Sequence, residues 1–541
     1  MDGSTLASSA LLPVGALASL LALPILGLEN MRASSPEPAP VVAARVESRA
    51  KSKGPRIEDP RFVVRFAARD IDRDVDVASQ RADESGEVSA SRDLVVALTA
   101  LMVLKPEHRF RTTYSARGRV TENTLWGDLV VDGRGDPTVD DIRLRDVANR
   151  LYQGGIARIT GAIVLDDSFF RSGITDEIEG VDEEGEPRPL TDEGADAGVA
   201  SEAVAEAPVV DTPSVPSAIR AFPFAHNTLT VVVRPGAKRG APAIVDVVPR
   251  TSFLTVRALV RTEPHARRLK SIAFVDGERG YVVVTGAVAL GDAPRSLTVS
   301  LPDGAFAYGH TLNDELRRRG VKTTGRVTAV DAGGRRRWLM SDFSSPLPDV
   351  LATMLRGSGR APQGFVRDRL LRVLGATWLS QHGVAATGVV VVKKHLEDDL
   401  AIDGARFDLA TNRLPPSVVV DALAFGGKTF ELKSELEVAI GAASLHPLLS
   451  RRLDGHLTAR TRAVAFVDDR RADVAGFLGR EDGTVLAFSL QASANGETSV
   501  DDMWAIVNRA LLAVVDADKG AESARGLTTR GAPKKARARA R

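Results

Sequence analysis

The side chains able to do chemistry in this chain are limited in kind. Its 541 residues include eight histidines and no cysteine, so a thiolate nucleophile, a thiolate metal site and a disulfide are all excluded. No His-Glu-x-x-His or comparable zinc spacing occurs, and His310 and His446 stand alone, as structural or surface residues do. Glu84, Glu87 and Asp93 form a small acidic cluster that reads as a solvated face rather than a general acid/base pair. Gly133 and Gly135 lack the third glycine of a dinucleotide fingerprint, and Asp136, between Gly135 and Pro137, reads as a turn-maker. No metal and no cofactor is expected.

Charge narrows the partners. The formal net charge is +1, so whole-chain electrostatics give no case for nucleic acid. The uncharged stretch 10–28 (ALLPVGALASLLALPILGL) has the length of a signal segment or a marginal anchor, although Asp2 replaces a basic start and Pro13 and Pro24 interrupt a helix. Export or anchoring through residues 1–31 is the expectation, placing the folded part in the periplasm or cell envelope. Membrane contact is expected through that segment alone.

The elements that must position any site follow from periodicity. A chain of this length implies two or three domains. Residues 32–60 read as a linker, and FVVRFAA from Phe62 as a strand. The apolar run LVVALTALMVL (94–104) predicts a buried helix, and DDIRLRDVANRLYQGG an amphipathic one ending at Gly154 and Gly155. Residues 171–215 are acidic and poor in large apolar side chains, as an exposed loop would be. Strand signals then dominate (LTVVVRPG, FLTVRALV, GYVVVTGAV, RSLTVSLP), followed by a helix at HTLNDELRRRG. From Leu347 the pattern turns helical; it closes with a hairpin-like pair, RTRAVAFV and VLAFSLQA, a helix DMWAIVNRALLAVV and a basic tail. Periodicity alone gives α+β, one domain interrupted by another.

Specific strings go further. ALTALMVLKPEHRFRT resembles the segment after the nucleophile in penicillin-binding D-alanyl-D-alanine carboxypeptidases/endopeptidases with a large insertion. LVVDGRGDPTV, ITGAIVLDDSFF, LTVVVRPGAKRGAPA, ELRRRGVKTTGRV, SSPLPDVLATML and DGARFDLATNRLPPSVVVDAL resemble further segments of that family in the same order. The resemblance implies a β-lactamase/transpeptidase-like domain in two parts, 61–112 and 341–515, interrupted by a mostly β inserted region, 113–340; the basic tail at 516–541 reads as disordered from its composition. It also implies serine-type hydrolysis of peptidoglycan peptides, with the stem peptide or another envelope protein as partner.

That chemistry needs Ser-x-x-Lys, Ser-x-Asn and Lys-Thr-Gly. The resemblance places Ala90 at the nucleophile and Asp93 at the lysine; a one-residue slip offers Ser91 but pairs it with Leu94. It places the second motif at Ser358-Gly359-Arg360 and the third at Arg460-Thr461-Arg462. Arg360 cannot accept a hydrogen bond, Arg460 retains the capacity to bind a carboxylate, and Arg462 puts a long side chain where the family needs bare backbone. Ser48 to Lys51, Ser493 to Asn495 and Lys322 to Gly325 match fragments of the motifs out of place and read as chance. A catalytically impaired relative that binds cell-wall peptide or protein is therefore expected; an active enzyme with a rearranged serine site is the alternative.

Overall fold

The structure, a computed structural model, describes residues 56–170, 220–276, 279–357, 364–379 and 382–516. The apolar stretch 10–28, the acidic segment 171–215, the tail beyond 516, and the positions Ser48, Lys51, Ser358, Gly359 and Arg360 lie outside the described residues.

Strands β1 (Phe62–Asp70), β2 (Val75–Gln80) and β3 (Gly86–Glu87) lead into helix α1 (Ala90–Leu104). The middle of the chain runs β4 (Arg111–Thr121), β5 (Thr124–Asp132), α2 (Asp141–Gln153), β6 (Arg158–Ile159), β7 (Ile163–Asp166), β8 (Thr228–Arg234), β9 (Ile244–Val248), β10 (Leu254–Glu263), β11 (Arg267–Asp276), β12 (Arg279–Ala289), β13 (Arg295–Ser300), α3 (Gly304–Arg318), β14 (Val327–Val330) and β15 (Arg337–Phe343). Helices α4 (Leu347–Arg356), α5 (Phe365–Leu379) and α6 (Ala385–Asp398) follow, then β16 (Arg413–Leu414), α7 (Pro416–Lys428), α8 (Phe430–Ile440), α9 (Leu449–Arg452) and α10 (Gly455–Thr458). The chain closes with β17 (Thr461–Val467), β18 (Arg471–Gly479), β19 (Val485–Ala494) and α11 (Val500–Asp516).

The main sheet has the order β17-β18-β19-β1-β2, so the first described strand lies beside the last, with Phe62 opposite Ala494 and Asp70 opposite Leu486. Alternation along β1 explains the layers. Phe62, Val64, Phe66 and Ala68 bury against Met503, Trp504, Val507 and Leu511 of α11. Ala67 faces the other way, into the core that holds α1, α4, α5, α7 and α8. Helix α1 is apolar nearly all round, with eleven of its residues buried from Ala90 to Leu104, because it is covered on several sides at once. Helices α5 and α6 approach so closely that a Cβ on Gly388 would stand 2.0 Å from the Leu371 carbonyl oxygen, which only glycine permits.

The fold is thus a β-lactamase/transpeptidase-like domain interrupted by a strand-rich region. That region holds a six-stranded sheet, β14-β7-β5-β4-β15 with β6 on β5, and two three-stranded sheets, β10-β12-β11 and β13-β8-β9. One sequence expectation needs correction. RTRAVAFV and VLAFSLQA are not a hairpin: β18 lies between them and pairs with both. Its sequence RADVAGFLG is buried on both faces, so it shows no alternation to detect. Strand β11 adds to the strands expected from the sequence.

Candidate active site at the N-terminus of helix α1

Helix α1 begins at Ala90 without a side-chain cap from Ser89. The first four N–H groups of a helix need acceptors from elsewhere. Here Asp473, on β18, supplies one across the domain: its Oδ2 accepts from the backbone N–H of Ser89 and of Ser91, each at 2.8 Å. Its Oδ1 accepts a short hydrogen bond from the Ser91 hydroxyl. Ser91 is fully buried and Asp473 nearly so. Burial pushes the Asp473 carboxyl above its ordinary value, against the lowering effect of these hydrogen bonds; neighbouring Asp93 raises it further.

The next residues carry an ion pair of unusual sense. Asp93, where the resemblance places a lysine, is held by Arg367 of α5, Nη1 to Oδ1 2.6 Å. Burial raises the Asp93 carboxyl, and Arg367 opposes that shift. Arg92 donates to the Asn412 side-chain oxygen. Burial first, and the positive charge of Arg367 second, lower the Arg92 guanidinium to about 10. The N-terminus of α1 therefore carries alternating arginine and carboxylate side chains. Within the first turn the hydroxyl is that of Ser91, and it donates to Asp473.

The acidic cluster read from the sequence separates in space. Glu84 lies 3.8 Å from both Arg65 and Arg81, and Glu87 pairs with Arg471 at the exposed rim. Asp93 is not on that solvated face, since its side chain is only 13% exposed.

Ala90, Ser91 and Asp93 come together at this helix end, whereas Arg460, Thr461 and Arg462 do not join them. On β17 the residue opposite Asp473 is Phe466. At about 3.3 Å per residue, Arg462 is about 13 Å and Arg460 about 20 Å further along the strand. Arg460 pairs with Glu481 at 3.3 Å and Arg462 lies 3.8 Å from Glu437 of α8. Thr461 is buried and donates to the Leu457 carbonyl at 2.7 Å. The part of β17 level with the helix end is Val464-Ala465-Phe466, which carries neither charge nor hydroxyl.

Other sequence candidates occupy structural positions. Asp136 accepts from the N–H and hydroxyl of Thr138 at 2.9 and 2.6 Å, as a turn-maker does, and also pairs with Arg143. Burial lowers His446 to about 4, and its Nδ1 accepts from the Leu448 N–H at 3.2 Å. His310 stacks on Phe253. Lys322 and Thr324 belong to the inserted region, bonding to Ala157 and Gly161, and Asn495 donates to Pro60 at the sheet margin. Among the described residues no group of three His, Asp or Glu side chains is placed to hold a metal ion. Asp473 and Arg367 were missed in the sequence because both act across long stretches of chain.

Comparison with known proteins bears on this geometry. Residues 43–511 match the model of the D-Ala-D-Ala carboxypeptidase 3 (S13) family. The chain is 25% identical over 354 residues to a D-alanyl-D-alanine carboxypeptidase of Actinomadura sp. (strain R39), covering 63% of this chain and 60% of that protein. It is 20% identical over 334 residues to D-alanyl-D-alanine carboxypeptidase DacB of Haemophilus influenzae, covering 62% and 63% respectively. The matches thus span just under two thirds of the length of these curated relatives. Among solved structures, penicillin binding protein 4 (dacB) from Haemophilus influenzae shares the fold, with a TM-score of 0.63 at 18% identity over 86% of this chain and 97% of that one.

Proposed function

Since the chain belongs to the D-Ala-D-Ala carboxypeptidase 3 (S13) family, we propose that it is a non-hydrolysing member that binds peptidoglycan stem peptide. The observation that carries this is the state of the helix α1 terminus. Acyl transfer to serine needs an accessible hydroxyl with a base beside it. Ala90 has no hydroxyl, and Ser91 is fully buried with its proton directed to Asp473. Asp93 is engaged by Arg367, not poised beside a hydroxyl. Backbone N–H groups at a helix N-terminus can stabilise an oxyanion; those of Ser89 and Ser91 are occupied by the Asp473 carboxylate. The nucleophile and its base are thus replaced or engaged internally, and two of the helix-end N–H groups already have an acceptor. Binding is separable from attack, so recognition of a substrate-like peptide survives such losses.

The protein is placed outside the cytoplasmic membrane in this reading, because the stretch 10–28 is long and uncharged. Among the described residues no helix is long and apolar enough to cross a membrane. Fractionation recovering the full chain only in the cytosol would reject the placement.

The test is labelling with a fluorescent penicillin, release of D-alanine from a pentapeptide, and calorimetric titration with that pentapeptide. The expectation is no label, no release and saturable binding. A covalent label abolished by Ser91→Ala or Ser358→Ala would replace this reading with an active enzyme using a rearranged serine. Absence of both label and binding would point instead to a protein partner in the envelope.

A further inference from the structure

The strand-rich region presents a surface with a chemistry of its own. Strands β10, β12 and β11 form a sheet whose inner side chains, including Val260, Leu269, Val282 and Val284, are buried in the core. The opposite face is open, with Leu259 65% and Ile272 46% exposed. Register aligns that face in rows. Phe274 lies opposite Tyr281, and their rings stack with centroids 5.3 Å apart and planes 15° apart. Ile272 lies opposite Val283, and Val283 opposite Arg257; Lys270 lies opposite Thr285, and Thr285 opposite Leu259. The Arg257 guanidinium sits over the Tyr281 ring, 5.6 Å from its centroid.

Charge on this sheet is unbalanced. Residues 254–289 hold six Lys or Arg (Arg257, Arg261, Arg267, Arg268, Lys270, Arg279) against three acids (Glu263, Asp276, Glu278). Among the described residues, Arg267 pairs with Glu263, whereas Arg257, Arg261 and Lys270 form no ion pair. An open aromatic stack beside aliphatic carbon, flanked by cations, suits a ligand with flat carbon–hydrogen faces and acidic groups at intervals.

We propose that this face binds a carboxylate-bearing glycan strand of the cell wall, its sugar carbon–hydrogen faces packing against the outward edges of the Phe274–Tyr281 pair and the neighbouring Ile272 and Leu259, and its carboxylates pairing with Arg257, Arg261 and Lys270. The choice of a cell-wall polymer rests on the function proposed above. Single-stranded nucleic acid would use similar contacts, but a chain of net charge +1 has no long-range field to attract it.

The test is co-sedimentation of the full chain with purified peptidoglycan glycan strands stripped of stem peptides, with a single-stranded DNA oligonucleotide as competitor. Wild type should bind, less tightly at high salt because the cations are exposed. Arg261→Glu/Lys270→Glu should weaken binding about tenfold, and Tyr281→Ala should weaken it too, with melting curves unchanged. Should the charge reversal disturb folding, Arg261→Gln/Lys270→Gln replaces it. No binding by wild type, equal binding by the variants, or displacement by DNA at lower concentration than by soluble glycan would overturn the proposal. A wild type that binds pentapeptide but not glycan refutes this inference alone; one that binds glycan but not pentapeptide refutes only the function proposed for the α1 site.

Discussion

Replacing Asp473 gives the most direct check on how the α1 terminus is held. Its carboxylate accepts from two backbone N–H groups and one hydroxyl, the two donors of Ser91 fully buried and that of Ser89 half-buried. Asp473→Ala strands these three donors. At about 1 kcal/mol for each buried donor left without its acceptor, the loss is about 3 kcal/mol. Asp473→Asn differs in kind: the amide oxygen can take the place of Oδ2 and accept both N–H groups, while its NH2 donates to the Ser91 hydroxyl oxygen. The expected cost is below about 1 kcal/mol. The pH dependence follows from the raised carboxyl. Its unfolded value is near 3.8 and its folded value is higher. The stability it contributes is therefore fully present below pH 3.8 and is lost as pH rises through the folded value. Asparagine mimics the protonated acid at every pH, so wild type should lose ground to Asp473→Asn as pH rises from about 4 toward neutrality. Urea unfolding of the three proteins across that range is the assay. An alanine variant within about 0.5 kcal/mol of wild type, or an asparagine variant as damaged as alanine, would refute the cap.

Three further outcomes are expected. Arg367→Leu leaves Asp93 buried and unpaired, costing about 3 kcal/mol in urea unfolding, whereas Asp93→Leu/Arg367→Leu restores most of it, since a buried pair replaced as a unit is tolerated. Arg460→Ala should leave pentapeptide affinity within about twofold, because Arg460 lies far along β17 from the helix end; a tenfold loss in titration calorimetry would reinstate it as the carboxylate binder. Gly388→Ala forces α5 and α6 apart at the Leu371 carbonyl and should lower stability by about 2 kcal/mol, read as an earlier thermal transition.

What the sequence revealed and what it hid divide along physical lines. The apolar run at 94–104 and the amphipathic repeat of 141–153 carry their periodicity locally, and both are helices. Ala90 and Asp93 were readable because they sit at fixed spacing from the run that forms α1. Where the third motif lies relative to the helix end was not readable, for the opposite reason. Arg460-Thr461-Arg462 looks like a basic-Thr motif, yet which residues of a strand stand level with a helix end is fixed by pairing. That pairing sets Phe466, not Arg462, beside Asp473. Asp473 sits in a strand without alternation, 382 residues from Ser91, so no local pattern announces the contact. The same holds for Arg367, 274 residues from Asp93.

The pairing of β1 with β19 has a consequence for how the molecule is made. Phe62 meets its partner Ala494 only after more than four hundred intervening residues have left the ribosome. Until then β1 and β2 form a lone two-stranded ribbon, which is marginal in water and offers an unpaired edge. The strand-rich middle of the chain closes its own six-stranded sheet within residues 111–343 and can condense first. The transpeptidase-like half is then assembled last, around an N-terminal strand that has waited throughout synthesis. Such long-range closure is slow, and a nascent chain stalled before β19 should be the species most prone to aggregate or to engage a chaperone.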